Sequence, residues 1–362
     1  MASDLPSFVK QASRDAGFEL AGIAPVHELP ELSRFPEWIA SGRAGDMEYL
    51  KSQDESGKLR RASLRIAIPW ARSVIVCAVN YNTRYPYSTQ VDGSGHGWIS
   101  RYAWGQEDYH DSVLRRLRQV EANLKGASGP DVQTRCYVDT GPLVERVYAK
   151  YAGVGWLGKN ACLINQNIGS WLFLGVIVTS LQLAPDHPAP DRCGTCTRCI
   201  DACPTEALLA PYQLDSNKCI SYLTIEKRGE IPQELREGIG LQVFGCDICQ
   251  DVCPWNRKAP PTEKPEFQPR TGLFNPALAW LAEMSEDEYR KIFRGSAIKR
   301  TKRAGIRRNA LIAIGNSRRR DLLPIAEQAS HDPDPAISSA AKWAKQRLEL
   351  ELQLVTRNPQ AG

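Results

Sequence analysis

At 362 residues, with a net charge of +5, the chain is too long for one small core and suits two or three domains. Hydrophobic residues make up 42% and charged residues 24%, ordinary for a globular protein, and the net charge alone names no partner. The opening residues lack a basic segment followed by an apolar run, so no secretory signal is expected. The longest apolar stretch, Trp171 to Ala184, is interrupted by Thr179, Ser180 and Gln182 and falls short of the roughly 20 residues a membrane span needs. A reducing cytoplasm and no membrane contact are expected, and there clustered cysteines favour metal over disulfides.

In chain order, the first residues read as an amphipathic helix with Leu5, Phe8, Val9 and Ala12 on one face. Ser73 to Tyr81 is a strand by its β-branched content. Asp111 to Leu124 is a helix, with Val113, Leu114, Leu117, Val120 and Leu124 near helical spacing. Val132 to Val138 is a second strand, ending at Asp139-Thr140-Gly141-Pro142. Leu143 to Ala152 is helical, and Leu172 to Leu183 is another strand. The mixture predicts an α/β region over 1–185. No G-x-G-x-x-G opens a helix after the first strand and no P-loop is present, so no motif supports a nucleotide cofactor.

The eleven cysteines sort by spacing. Cys77, Cys136 and Cys162 stand alone among apolar residues and read as core cysteines. Cys193, Cys196, Cys199 and Cys203, completed by Pro204, spell C-x2-C-x2-C-x3-C-P. This is the bacterial ferredoxin run, whose fourth cysteine ligates the other cluster. Cys246, Cys249 and Cys253, followed by Pro254, repeat the pattern without its first member, and Cys219 is the cysteine left to supply it. One 4Fe–4S cluster is therefore expected on Cys193, Cys196, Cys199 and Cys253, the other on Cys203, Cys219, Cys246 and Cys249. The alternative is a pair of zinc sites, but zinc knuckles use separated C-x2-C pairs rather than a triple with a CP tail. Two clusters make an electron relay, and the long flanking chain implies a second redox centre in the N-terminal region.

The order of motifs resembles the epoxyqueuosine reductases, cobalamin-dependent iron–sulfur enzymes that act on tRNA. The resemblance rests on Lys58 to Pro69, on Arg101, Trp104-Gly105 and Asp108-Tyr109-His110, on Val138 to Gly141, and on Gly155 to Asn160. It continues through the cysteine block, Cys219 to Thr224, Gly245-Cys246-Asp247 and Arg308-Asn309-Ala310. It implies two 4Fe–4S clusters feeding a cobalamin with its base detached and no histidine on cobalt. The D-x-H-x-x-G motif that would donate one breaks at Val113, so His110 is expected to be structural or substrate-facing. The implied reaction removes the epoxide oxygen of epoxyqueuosine at the wobble position of a tRNA with a GUN anticodon, using an unidentified low-potential electron donor. Asp139 is the expected proton donor, a carboxyl that an apolar cofactor face would keep protonated; unaided, its position also suits a helix cap. Cofactor contacts are implied at Arg61, Ser100, Asp139, Leu163, Ser221 and Asp247. Ser100 stands where some relatives have cysteine, and no thiol role is carried over there.

Charge is uneven. Arg290 to Arg320 holds twelve Lys or Arg and no acid, leaving the rest of the chain at about −7. Such a segment suits phosphates, and Arg300, Arg303, Arg307 and Arg308 are the expected tRNA contacts. Gly305 to Gly315, Leu322 to Ser330 and Ala336 to Leu348, the last capped by Asp332 to Pro335, resemble HEAT-type helices. The expected fold is an α+β multidomain chain: an α/β cobalamin-binding domain (1–185), a ferredoxin-like two-cluster domain (186–270) and a HEAT-like helical tail (271–362). Two other functions fit these parts. One is a corrinoid reductive dehalogenase, although no twin-arginine signal is visible; the other is a non-catalytic electron carrier with an RNA-binding tail.

Overall fold

The computed structural model describes residues 5–91 and 95–357, with side chains as far as residue 350. Its largest sheet has four strands, β1 (Leu20–Pro25), β2 (Ser73–Asn80), β3 (Thr134–Tyr137) and β4 (Leu172–Thr179), in the order β1-β2-β4-β3. Every pairing is antiparallel, with Ser73 opposite Thr179 and Asn80 opposite Leu172 in the central pair. The mixed α and β content expected for this region is present, but it is not the parallel, alternating arrangement that α/β implies. Strand composition does not encode strand direction, which is why the expectation missed it.

All of β2 is buried because both faces of the sheet are covered. Successive side chains point to opposite sides. Ile75, Cys77 and Val79 meet α1 (Leu5–Asp15) and α2 (Tyr109–Ser128), whose Val113, Leu117, Val120 and Leu124 form the apolar stripe. Val74, Val76 and Ala78 meet α3 (Glu145–Tyr151) through Val147, Tyr148 and Ala149. In α1 the buried residues are Val9, Ala12 and Ser13, whereas Phe8 is 39% exposed and lies off the expected face. Four apolar residues define a stripe too loosely to say which edge member meets solvent.

The largest core joins segments far apart in sequence. Trp98 and Trp104 pack with Leu223, Val243 and Phe244 of the cysteine region and with Leu278, Leu311 and Trp343 of the C-terminal helices. The segments 1–185, 186–270 and 271–362 thus share packing. The C-terminal helices are α4 (Lys302–Asn316), α5 (Leu323–Ala329) and α6 (Pro335–Arg357), with α4 against α6 as the principal contact. Asp334 caps α6, accepting from the backbone N–H of Ala336. None of the described helices is long and apolar enough to cross a membrane.

Candidate active site and cluster region

The cysteine loops are short turns that fold back on themselves, and neighbouring thiols make one another harder to ionise. Burial pushes Cys253 up to about 11, and the charges of Cys193, Cys162 and Cys199 add to this. Cys199 is raised by burial and then by Cys193 and Cys196. Cys246 is raised by burial and by Cys219, Asp247 and Cys203, and Cys219 by burial and by Cys203 and Cys162. Cys253 therefore lies near Cys193 and Cys199, and Cys203 near Cys219 and Cys246. Among the described residues no three His, Cys, Asp or Glu side chains converge tightly enough for a single metal ion. The grouping rests on which thiols lie in one another's field.

Cys162, expected as an isolated core residue, instead faces Cys249. That contact is the main reason the Cys249 thiol is raised and the Cys162 thiol lowered. The turn carrying it spans both cysteine loops. Lys159 donates to the carbonyls of Gly194 and Cys196, and Asn160 donates to that of Cys249. No spacing rule points to these three residues. Cys77 is fully buried against Ser13, while Cys136 is only partly buried.

Ser100 and Asp247, both expected at the cofactor, turn their side chains inward and bond each other. Asp247 is 1% exposed and accepts from Ser100 Oγ, Trp98 Nε1 and the Arg101 backbone N–H. Both its oxygens are occupied, so it clasps the 98–101 segment to the cysteine loop. Gly245 allows the close approach: its φ is +70°, and a Cβ there would lie 2.5 Å from Ser100 Cβ. Ser221 is half-buried, and its backbone N–H points to the Cys219 thiol. Leu163 is buried in the core beneath α3.

The second group of polar residues surrounds Asp139. This residue follows β3 with a left-handed φ of +56°, which Asp tolerates better than most, and its side chain is exposed. Tyr109 donates to Asp139 Oδ2 at 3.1 Å. Burial and the Asp139 charge hold the Tyr109 hydroxyl well above its ordinary range, so it remains a donor. The Tyr109 ring stacks on Phe173 at 4.3 Å and meets Tyr102 edge-on, an aromatic wall beside the carboxylate. His110 is held by Asp108, the cap of α2, at 2.7 Å.

Arg61 donates to the Leu143 carbonyl and anchors the turn after Asp139, while its Nε is buried without a partner. Its guanidinium lies 6.0 Å from the Tyr49 ring centre, and that of Arg300 lies 5.1 Å from the same ring. The basic stretch thus reaches the Asp139 neighbourhood, whose charge acts on Tyr49 and Arg300 alike. The four arginines expected at phosphates differ sharply. Arg300 is half exposed and paired with Glu226. Arg303 pairs with Glu286, and Arg307 with Asp332. Arg308 is 2% exposed; its guanidinium donates to the carbonyls of Leu223, Lys227 and Gly229 and to Asn309. All five of its donors are used within the fold, so Arg308 is removed from the expected tRNA contacts. Charge counting could not separate it from its neighbours.

Residues 61–140 match the family described as "Epoxyqueuosine reductase QueG, DUF1730", and residues 192–256 match a 4Fe-4S double cluster binding domain. The epoxyqueuosine reductase of Synechocystis sp. is 46% identical over 294 residues, covering 80% of this chain and 98% of that protein. That of Xanthomonas campestris is 36% identical over 346 residues, covering 94% and 96%. A selenomethionine-labelled epoxyqueuosine reductase crystal structure superposes with a TM-score of 0.86 at 30% identity, covering 98% of this chain and 95% of that one. A second, of an epoxyqueuosine reductase with an epoxyqueuosine-modified tRNA-Tyr stem loop, gives 0.85 at 30% identity, covering 99% and 95%. The chain belongs to the epoxyqueuosine reductase family.

Proposed function

We propose that this protein reduces epoxyqueuosine to queuosine at the wobble position of tRNA, with a cobalamin recharged by two 4Fe–4S clusters. The observation that carries the reading is the placement of Asp139, an exposed carboxyl on an aromatic wall, in a chain whose residues 192–256 match a 4Fe-4S double cluster binding domain. A relative from Bacillus subtilis is described with an aspartate-bearing catalytic loop swung out of its active site, which supports giving the chemistry to a loop aspartate.

The residues present fit a corrinoid. The buried, unpartnered Nε of Arg61 offers a donor to an amide or phosphate of such a cofactor. Tyr109, Tyr102 and Phe173 offer an apolar surface, and Arg61 would hold the group at its edge. When bound, a cobalamin in its lowest oxidation state supplies a strong nucleophile or electron donor. The rest falls to the chain. Asp139 delivers a proton to the departing oxygen, Tyr109 fixes the carboxyl by its hydrogen bond, and the aromatic wall excludes water. The cluster ligands are Cys193, Cys196, Cys199 and Cys253 in one set and Cys203, Cys219, Cys246 and Cys249 in the other.

The tRNA lies over the Asp139 pocket, with phosphates along the exposed cations Lys291, Arg294, Lys299, Arg300 and Lys302, on a HEAT-like helical support. An extruded wobble base then enters the pocket, as base-modifying enzymes generally require. The test is reconstitution: protein loaded with iron, sulfide and cobalamin, supplied with a low-potential reductant and tRNA carrying epoxyqueuosine, followed by mass analysis of the nucleosides. Queuosine is expected in place of its epoxide. An unchanged epoxide with fully loaded protein would refute the reading.

A further inference from the structure

The two cysteine runs differ in what surrounds them. Beside Cys193, Cys196 and Cys199, the residues Arg192, Gly194, Thr195, Thr197 and Arg198 are exposed. Beside Cys219 and Cys246, the residues Ile220, Gly245 and Asp247 are buried. The second run also lies toward Asp139. Asp247 bonds Ser100, Tyr102 of that segment meets Tyr109 edge-on at 5.9 Å, and Tyr109 donates to Asp139. A relay through these cysteines therefore has its outer end at the Cys193–Cys199 loop.

That outer end carries unpaired cations. Arg192 and Arg198 immediately precede Cys193 and Cys199, and the turn after Cys253 runs into Arg257 and Lys258. All four are exposed, and among the described residues their side chains have no ion pair or hydrogen bond. Arg198 and Arg257 line one cavity of about 540 Å³, together with the buried Asp251 and the exposed Asp201. The acids of this face are engaged within the fold. Asp191 accepts from Tyr212 and from the Cys193 backbone N–H, Asp201 from Thr197, and Asp251 from Ser88. The four free cations thus outnumber the exposed acids, Asp191 and Asp201.

We propose that this face docks a small acidic protein carrying a one-electron redox group at its own surface, an inference that rests on the function proposed above. Electrons enter the chain at the Cys193–Cys199 loop. Reducing an epoxide to an alkene consumes two electrons and two protons and releases one water, so the carrier visits twice. At each visit it loses one electron to the cluster held by this loop, and no bond forms or breaks. A partner that must leave after each delivery is better held by charge than by apolar area, which gives a fast and salt-sensitive encounter. Cations adjoining the cluster ligands bring the carrier's redox group to the loop. The phosphates of tRNA fall instead to the basic stretch that reaches Tyr49 through Arg300.

The probe is a flavodoxin, an acidic carrier whose flavin passes one electron at a time. Calorimetry with oxidised flavodoxin reads binding to the fully loaded protein, and stopped-flow oxidation of the reduced flavin reads electron entry. Both should weaken as salt rises in the wild type. The fourfold variant Arg192→Gln, Arg198→Gln, Arg257→Gln, Lys258→Gln should lower affinity and entry rate about tenfold or more at low salt and flatten the salt dependence. Asp201→Asn, which still accepts from Thr197, should act in the opposite direction. Iron and cobalamin content, and turnover driven by the small reductant methyl viologen, should match the wild type in both variants. Unchanged binding and entry in the fourfold variant, or a wild type that binds flavodoxin independently of salt or not at all, would overturn the docking face. A loss of tRNA affinity in that variant would also overturn it and assign the cations to phosphates. No viologen-driven turnover by the loaded wild type would overturn the function, and the binding measurement would still decide the docking face.

Discussion

The cysteine block and the arginine-rich stretch both concentrate one kind of side chain, yet they use it in opposite ways. The thiols of 193–253 gather beside one another and raise one another's resistance to ionisation, an arrangement with no benefit unless a metal cluster takes the thiolates. The arginines of 300–308 turn progressively inward, from Arg300 at the surface to Arg308 in the core, and satisfy themselves on carboxylates and carbonyls. A guanidinium has five donors and finds acceptors anywhere in a fold, whereas a thiol is a poor partner for protein groups. Density of a residue type therefore signals a ligand when the fold cannot satisfy the residue by itself.

The sharpest way to break this comparison is to remove one thiol. Cys253→Ser should lower the iron content from about eight to about four per chain, because the ferredoxin pattern expects Cys253 in the set with Cys193, Cys196 and Cys199. Iron and sulfide analysis, with electron paramagnetic resonance of the reduced protein, reads the loss. Retention of all eight irons would show that the thiols are grouped differently.

Asp139→Asn comes next in size. The amide keeps the shape and still accepts from Tyr109 but carries no transferable proton. Turnover should fall by about 10²–10⁴-fold with cobalamin and clusters retained. Near-normal turnover in a fully loaded variant would remove Asp139 from the mechanism.

These two regions also differ in how far they could be read from the chain alone. Cluster ligands announce themselves because three thiolates must reach one cube, and short loops force regular spacing. Asp139 was legible as a strand-end aspartate before a Gly-Pro turn, but its bond from Tyr109 was not, since that depends on how α2 packs beside β3. Cys162 shows the same limit: it is a core cysteine by composition, and only the turn at 158–162 carries it to Cys249. The antiparallel sheet was missed because direction belongs to the connections. Arg308 was misjudged because burial is a tertiary property, hidden in a run of like charges.

Arg308→Met tests that last point. It removes the donors from the carbonyls of Leu223, Lys227 and Gly229, at a cost of about 3 kcal/mol or more in stability. The loss should show as a lower midpoint of thermal unfolding, whether or not tRNA is present. By contrast, Arg303→Ala breaks a partly exposed pair and should cost less than about 1 kcal/mol. Equal stability of the two variants would erase the distinction between inward and outward arginines.

The smallest effect is the most discriminating, because it lies on the boundary between the two uses. Arg300 is paired with Glu226 through both its Nε and Nη2, yet remains half exposed beside Tyr49 at the edge of the Asp139 neighbourhood. A phosphate arriving there must compete with Glu226 for the same guanidinium. If Arg300 serves tRNA, the two partners should act with opposite signs. Arg300→Gln removes the cation and should weaken binding by about 1 kcal/mol, with the slope of log affinity against log salt falling by about one. Glu226→Gln removes the competitor and should tighten binding by a similar amount. Turnover at saturating tRNA should hardly change in either variant, since neither residue moves protons or electrons. Titrations at several salt concentrations, with tRNA carrying the epoxide, read both signs. If both substitutions weakened binding, or neither changed it, Arg300 would belong with Arg308 as an internal fastener, and the phosphate track would run through Lys299 and Lys302 instead.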